Sequence, residues 1–199
     1  MSRSLPQAVL LVDGYNIIGT WSCLKKTRDD TGLEAARWQL AEALLNYSAF
    51  QGFVTQIVFD AQYQNTGSNQ EIITQNLSVY YTDFGQTADT YIEKACASFR
   101  PYLRGALPRQ ASPGKSSYQS RPSRLIVATS DRVQQLMVLG YGAEWMSAQK
   151  LGCEVESAVV RARCQHKSGK QTSSRFLANS LDAKSRQRLA ELRMGLKEI

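Results

Sequence analysis

Four aspartates occupy positions where carboxylates commonly meet in α/β proteins. Asp13, Asp60 and Asp131 each close a short apolar segment, and Asp89 stands in the first turn of a predicted helix. Short apolar runs rich in Val, Leu and Ile are typical of strands buried on both faces of a parallel sheet. Because ligands of such sheets bind just beyond the carboxyl ends of the strands, we expect these side chains to converge at one edge.

A cluster of carboxylates favours a particular chemistry. Like charges in a dry site raise one another's pKa values, so such a cluster normally requires a cation. Oxygen ligands without His or Cys select Mg²⁺ or Mn²⁺. An ion held in this way can bind a phosphate oxygen and activate water for in-line attack, which leaves a 5′-phosphate and a 3′-hydroxyl in two-metal hydrolysis. The residue types therefore indicate hydrolysis of a phosphodiester.

Each carboxylate also has a purely structural alternative. Aspartate is a preferred N-cap, so a strand–Asp–helix junction arises without any catalytic role. Asp89 suits the dipole at the start of its helix, and Glu93, four residues later, shares one helix face with it. The sequence alone leaves both roles open for these residues.

The spacing of apolar residues predicts the elements that must position the acids. Strands are predicted at residues 8–12, 55–60, 77–82, 125–131 and 143–146, and helices at 33–50, 71–75, 87–99, 133–139, 147–163 and 181–196. Polar or Gly-, Pro- and Ser-rich composition predicts loops at 19–32, 61–70 and 100–124 and a linker at 165–175. The alternation predicts a single α/β domain over residues 1–199, with a mainly parallel central sheet and helices on both faces.

Charge is distributed unevenly along the chain. Residues 1–99 carry 6 Lys and Arg against 10 Asp and Glu, whereas residues 161–199 carry 10 against 3. The segment 100–124 contains four of the five prolines and six Lys or Arg but no acid, which is typical of a flexible basic insertion. An acidic first half and a basic second half indicate an acidic centre served by a polyanion-binding surface, with a merely solvated tail as the alternative.

Composition disfavours several other classes of protein. No apolar run approaches the roughly 20 residues of a membrane-spanning helix, and no secretory h-region precedes residue 8. The four cysteines contain no C-x-x-C pair, which disfavours a zinc site or a disulfide framework and fits a reducing, cytoplasmic compartment.

Four motifs, in order, resemble the YacP-like branch of the NYN domain nucleases. They are LVDGYN at residues 11–16, VFDA at 58–61, TAD followed by IE at 87–93, and ATSD at 128–131. The likeness continues through Gly142-Ala143 and the helix after Ser147, so that it covers residues 8–195. It implies a PIN-like three-layer fold and a metal-dependent endoribonuclease that cuts mRNA on the translating ribosome.

The resemblance also implies roles for individual residues. By position, Asp13, Asp89 and Asp131 match the acidic core of the family. They are therefore expected to be the catalytic residues and to hold one or two Mg²⁺ or Mn²⁺ ions. The residues expected to support them are Asn16, Asp60 and Glu93.

Aromatic and basic residues near the predicted active edge are candidates for binding RNA. Tyr15 can stack on a base, and the basic segments can contact phosphates. The candidates are Tyr15, Lys25, Lys26, Arg28, Arg104, Arg109 and Arg121. Packing is the alternative for Tyr15, and a solvated surface is the alternative for the basic residues.

Two rival functions come from other classes. The first is an RNA- or ribosome-binding module that has lost catalysis, which the retained acids disfavour. The second is a phosphoryl-transfer enzyme or receiver-like domain, since these also place acids at strand ends. A phosphatase of the haloacid dehalogenase type would have D-x-D at the first strand, where this chain has Tyr15. A receiver would usually have a Lys after its last strand; here Ser147-Ala148-Gln149 follows it, although Lys150 lies close by.

Overall fold

The computed structural model describes residues 7–60, 69–103 and 124–168 of the chain. In chain order, the elements of these residues are β1 Ala8–Asp13, α1 Gly14–Thr20, α2 Ser22–Thr31, α3 Leu33–Gln51, β2 Phe53–Phe59, β3 Asn69–Thr74, β4 Leu77–Tyr81, α4 Ala88–Leu103, β5 Leu125–Ala128, α5 Arg132–Tyr141, β6 Glu144–Met146 and α6 Ala148–Ser168. No helix of these described ranges has the length and apolar character needed to cross a membrane.

The strands form one sheet in the order β3-β4-β2-β1-β5-β6. β1 lies at its centre and pairs in parallel with β2 and β5, and β4 and β6 extend the parallel arrangement on either side. Among the described strands, only the edge strand β3 is antiparallel to its neighbour, β4. The predicted α/β class with a mainly parallel sheet is therefore confirmed.

Helices cover both faces of the sheet. Alternate residues of the buried strands therefore point into two separate cores. Leu10 and Val12 of β1 belong to the core beneath α1, α2, α3 and α6. Leu11 belongs to the second core, which includes Ile92 of α4 and Val138 of α5. Strands that are apolar on both sides have no solvated face, which explains why β1 and β5 are continuous apolar runs.

The order of the strands creates a crevice beside β1. From β1 the chain moves to β2 and β4 on one side, and it then returns to β5 on the other side of β1. Such a reversal leaves a gap beyond the carboxyl ends of the two strands, and ligands of open α/β sheets bind there. Asp13 is the last residue of β1, and Asp131 follows β5 by three residues, so the two flank this crevice.

Two predicted segments have a different structure. Residues 19–32 were expected to be a loop, but they complete α1 and form α2. Only Leu24 of α2 is buried, so the helix lacks the apolar stripe that periodicity can detect. Residues 71–75 were expected to be a short helix, but they lie mostly in β3, where pairing with β4 decides the conformation over a segment too short to show a period.

Several element boundaries also differ from the prediction. Helix α5 continues through Gly140 and ends at Tyr141. Its C-cap is Gly142, whose φ of 85° is a left-handed conformation that favours glycine. α4 extends to Leu103 and α6 to Ser168, beyond the predicted starts of the basic insertion and of the linker. Residues 104–123 of the insertion and the predicted helix 181–196 lie outside the described residues.

Candidate active site

The junction between β1 and α1 positions the first acid. Asp13 ends the strand and is the N-cap of α1, where its carboxylate accepts a hydrogen bond from the backbone N–H of Asn16 at 3.2 Å. Gly14 lies directly against Phe59, and a Cβ at this position would stand only 2.2 Å from the Phe59 ring. Glycine therefore allows α1 to begin directly at the end of the buried strand, which leaves Asp13 only 8% exposed.

The junction between β5 and α5 repeats this arrangement. Asp131 is the N-cap of α5 and accepts hydrogen bonds from the backbone N–H groups of Val133 and Gln134 at 2.7 and 3.0 Å. The preceding turn is held by Trp145, whose indole N–H donates to the carbonyl of Thr129 at 2.9 Å. The capping alternative is thus realised for both aspartates, and it fixes where their carboxylates lie.

Asn16 links the two junctions. Its side-chain Oδ1 accepts a hydrogen bond from the backbone N–H of Ser130 at 2.7 Å, while its own backbone N–H donates to Asp13. One residue therefore holds the turn before Asp131 against the helix that Asp13 begins. Asn16 thus contacts both junctions, and its supporting role at the site stays a prediction.

Asp89 enters the same region from α4, and Gln134 fixes its carboxylate. The Gln134 side chain donates from Nε2 to Asp89 Oδ1 at 2.6 Å, and its backbone N–H donates to the N-cap carboxylate of Asp131. Gln134 is 3% exposed, and its Oε1 is buried with no hydrogen-bond partner in the structure. The amide thereby connects two acids that lie more than 40 residues apart in the sequence.

The four aspartates line one cleft of about 620 Å³. Asp60 joins the other three because it directly follows β2, the neighbour of β1. The other lining residues are Tyr15, Asn16, Ile18, Arg28, Leu33, Thr87 and Ala88. The predicted convergence of acids at the carboxyl edge of the sheet is what the described residues show.

Electrostatic repulsion also reports their proximity. The pKa of Asp13 is raised to about 6, chiefly by burial and further by the negative charges of Asp89, Asp131 and Asp60, while the Asn16 N–H opposes this. Burial, followed by the charges of Asp131 and Asp60, also raises the pKa of Asp89. Carboxylates that raise one another's pKa values are those that a bound cation would stabilise.

The side chains of the cleft suit a hard cation that keeps part of its water shell. Among the described residues, no three His, Cys, Asp or Glu side chains lie close enough together to hold one ion directly. The lining residues of the cleft nevertheless offer carboxylate and amide oxygens and no softer ligand. This chemistry suits Mg²⁺, which keeps several of its waters and binds through one or two carboxylates.

Behind the cleft, Arg37 lies against three aromatic rings. Its guanidinium carbon is 5.3, 5.5 and 5.7 Å from the ring centroids of Tyr15, Phe59 and Tyr81, respectively. We call these three residues the aromatic cluster. Arg37 also donates a hydrogen bond from Nη2 to the Tyr15 hydroxyl. Since Tyr15 lines the cleft, this contact reaches the candidate site.

Comparison with known proteins identifies the fold around this cleft. The model of the YacP-like NYN domain family matches residues 10–102 and 115–194. The chain belongs to the YacP-like NYN domain family. A curated relative, "Uncharacterized protein YacP" of Bacillus subtilis, is 32% identical over 167 residues, which cover 84% of this chain and 85% of the relative.

Solved structures agree with this NYN assignment. Two crystal structures of Rae1 (YacP) from Bacillus subtilis share 27% and 26% sequence identity with the chain, with TM-scores of 0.58 and 0.54. Each comparison covers 94% of this chain, and 99% and 87% of the respective Rae1 chains. The PIN-like three-layer fold and the nuclease-type domain inferred from the four motifs are thereby supported.

Some of the predicted supporting and RNA-binding residues line the cleft of this NYN domain, and others do not. Tyr15 and Arg28 line the cleft, whereas Lys25 and Lys26 are exposed on α2 and do not. Glu93 is exposed on α4, where it accepts a hydrogen bond from the Tyr141 hydroxyl at 3.2 Å, and it is not a lining residue either. The remaining candidates, Arg104, Arg109 and Arg121, lie outside the described residues.

Sequence reasoning missed two residues of this NYN site. The three-residue spacing of Asp131 and Gln134 is that of a capping box, which predicts a hydrogen bond from Gln134 back to the N-cap; it does not predict the contact with Asp89 that the structure shows. Arg37 had no sequence signal, since a single Arg in an amphipathic helix is usually a solvated side chain. Its neighbours Phe59 and Tyr81 come from other strands and are defined only by the fold.

Proposed function

We propose that this NYN domain is a metal-dependent endoribonuclease that hydrolyses phosphodiester bonds of RNA, and that its physiological substrate is mRNA on the translating ribosome. The observation that supports the proposal most is the convergence of Asp13, Asp89 and Asp131 on one cleft beside the central strand. Membership of a nuclease-type family and the basic second half of the chain are consistent with it.

The roles of the chain's own residues follow from their positions. Asp13, Asp89 and Asp131 would hold Mg²⁺ or Mn²⁺ in the cleft, partly through water, and the ion would supply positive charge at the scissile phosphate. Asn16 and Gln134 keep the carboxylates in place through hydrogen bonds to Ser130 and Asp89. Arg28 lines the same cleft and offers a cation to the RNA backbone.

The decisive experiment compares Asp13→Asn with a matched control. Cleavage of a labelled RNA is measured after removal of metal with EDTA and again after addition of Mg²⁺ or Mn²⁺. We expect cleavage only with added metal, and a loss of at least about 100-fold in Asp13→Asn, because one carboxylate of the cluster becomes neutral. Asp30→Asn changes an exposed aspartate of α2 outside the cleft and should cleave normally.

Binding measurements separate the nuclease from a silent binding module. Fluorescence anisotropy with RNA and co-sedimentation with ribosomes should be nearly unchanged in Asp13→Asn. A wild-type chain that binds RNA but does not cleave it with either metal would favour the module that has lost catalysis. Cleavage by Asp13→Asn at the wild-type rate would contradict the assigned catalytic role.

A further inference from the structure

Among the described residues, Arg37 has no anionic partner. Its side chain is partly buried, its Nε is fully buried without a hydrogen-bond partner, and no carboxylate of the described residues forms an ion pair with it. Buried charges in proteins are normally paired with an opposite charge. The contacts that replace such a partner here are the aromatic cluster and the Tyr15 hydroxyl.

Contacts within the aromatic cluster hold the ring of Tyr15 in place. The ring of Tyr15 contacts Phe59 at a centroid distance of 5.0 Å, and Phe59 stacks on Tyr81 at 5.6 Å. Burial raises the pKa of Tyr81 to about 12, so the Tyr81 hydroxyl offers Arg37 no negative charge at physiological pH. Arg37 therefore holds Tyr15 through cation–π attraction and a hydrogen bond rather than through an ion pair.

This arrangement borders the acidic cleft. Tyr15 follows Asp13 by two residues and lines the cleft with it. Leu33, another lining residue, precedes Arg37 by four residues and lies on the same face of α3. Arg37 is not itself a lining residue, but it lies next to the part of the cleft wall that Tyr15 and Leu33 form.

We propose that Arg37 is a positioning residue that holds the Tyr15 ring as a stacking platform for one unpaired nucleobase beside the aspartates. The proposal rests on the proposed function only in that a single RNA strand must enter the cleft. Every nucleobase has a π face, so stacking binds without requiring a particular sequence. A ring tethered at its hydroxyl loses less conformational freedom when a base stacks on it.

Fluorescence provides a signal that a purely structural Arg37 would not change. Single-stranded RNAs carry 2-aminopurine at successive positions, and EDTA keeps the strand intact. Stacking on a tyrosine quenches this base, so wild-type protein should quench it at one position in the cleft. Tyr15→Leu should abolish this quenching and weaken RNA binding by about 5-fold to 100-fold, the usual effect of removing a stacked aromatic residue.

The Arg37 variants then test positioning. Arg37→Met should lower the quenching by more than half although Tyr15 is present, and Arg37→Lys should restore part of it because the cation returns. Tyr15→Phe, which keeps the ring and removes only the hydroxyl that Arg37 contacts, should give an intermediate value. Lys94→Met is the control, since Lys94 is an exposed cation of α4 that does not line the cleft.

A double variant shows whether the two residues act together. Arg37→Met combined with Tyr15→Leu should bind RNA no more weakly than Tyr15→Leu alone, because Arg37 acts only through Tyr15. Additive losses in the double variant would contradict positioning. Unchanged quenching in a folded Arg37→Met variant, or in Tyr15→Leu, would overturn the proposal as well.

These outcomes differ from a failure of the nuclease proposal. A wild-type protein that quenches 2-aminopurine in EDTA but never cleaves RNA supports the platform and contradicts the nuclease. A wild-type protein that cleaves RNA without quenching the base at any position overturns the platform and leaves the nuclease standing.

Discussion

The Gln134 side chain donates a hydrogen bond from Nε2 to Asp89 Oδ1 at 2.6 Å, and this contact ties α5 to α4 at the acidic cleft. The same residue leaves its Oε1 buried without a partner. A buried carbonyl without a donor is destabilising by about 1–3 kcal/mol. Gln134 therefore does not serve mainly to stabilise the fold. Its hydrogen bond to a carboxylate of the cleft indicates that it orients Asp89.

We therefore expect Gln134→Met to reduce RNA cleavage more than it reduces stability. Methionine has a similar length, removes the hydrogen bond and also removes the unpaired Oε1, so the free energy of unfolding should change by less than about 1.5 kcal/mol. Cleavage and Mn²⁺ affinity should fall by about 10-fold to 100-fold, as for residues that orient metal ligands. Calorimetry measures both the unfolding and the Mn²⁺ binding, and Gln135→Met is the neighbouring control. Equal Mn²⁺ affinity in Gln134→Met and wild type would contradict this role.

Asp13 should make the metal-free protein less stable as the pH rises. Its pKa is raised from 3.8 to about 6 on folding, so the folded state binds more protons than the unfolded state between these values. The free energy of unfolding of wild-type protein should therefore decrease from pH 4 to pH 6, and the full penalty, at most about 3 kcal/mol, is present above pH 6.

Asp13→Asn removes this penalty while keeping a residue that can cap α1. In EDTA at pH 7.5 we expect the variant to be more stable than wild type by about 1–3 kcal/mol, and the gain should vanish below pH 4. Urea unfolding at several pH values measures it. Asp30→Asn should differ from wild type by no more than about 0.5 kcal/mol at any of these pH values. A less stable Asp13→Asn at pH 7.5 would show that burial and the neighbouring charges do not destabilise the Asp13 carboxylate.

Asn16→Ala should loosen the relation between Asp13 and Asp131. It removes the acceptor for the Ser130 N–H, and because Ser130 is exposed, water can replace that partner at a loss of only about 0.5–1.5 kcal/mol. Cleavage should fall further, by about 10-fold to 100-fold, since a small misplacement of reacting groups is sufficient for that. Denaturant melts and RNA cleavage assays measure the two effects. Asn46→Ala, at an exposed position of α3, should change neither.

Gly14→Ala should be destabilising, whereas Gly19→Ala in the same helix should not. A Cβ at Gly14 meets the Phe59 ring at 2.2 Å, and Phe59 packs between Tyr15 and Tyr81. Because the ring must move, we expect a loss of about 1–3 kcal/mol. A Cβ at Gly19 meets nothing within 4 Å, so alanine there should be neutral or stabilising by up to about 1 kcal/mol. Thermal melts of the two variants test the contrast.

The sequence by itself determined the central strands and the edge at which the aspartates meet. The apolar runs before Asp13, Asp60 and Asp131 are local patterns, and strands buried on both faces are apolar at nearly every position next to the site. The four motifs were specific enough to predict the family and the three-layer fold. The buried strands and the four motifs can be predicted from the sequence because each depends on residues that are adjacent in the chain.

Only the tertiary structure decided the features that depend on distant partners. β3 is a strand because it pairs with β4, and α2, with one buried residue, is held by packing against α3 rather than by an apolar stripe of its own. Gln134 reaches Asp89 across 45 residues, and Arg37 meets Tyr15, 22 residues away, on another helix. A side chain acquires such a role from the groups that folding brings beside it, and no local pattern of residues encodes those neighbours.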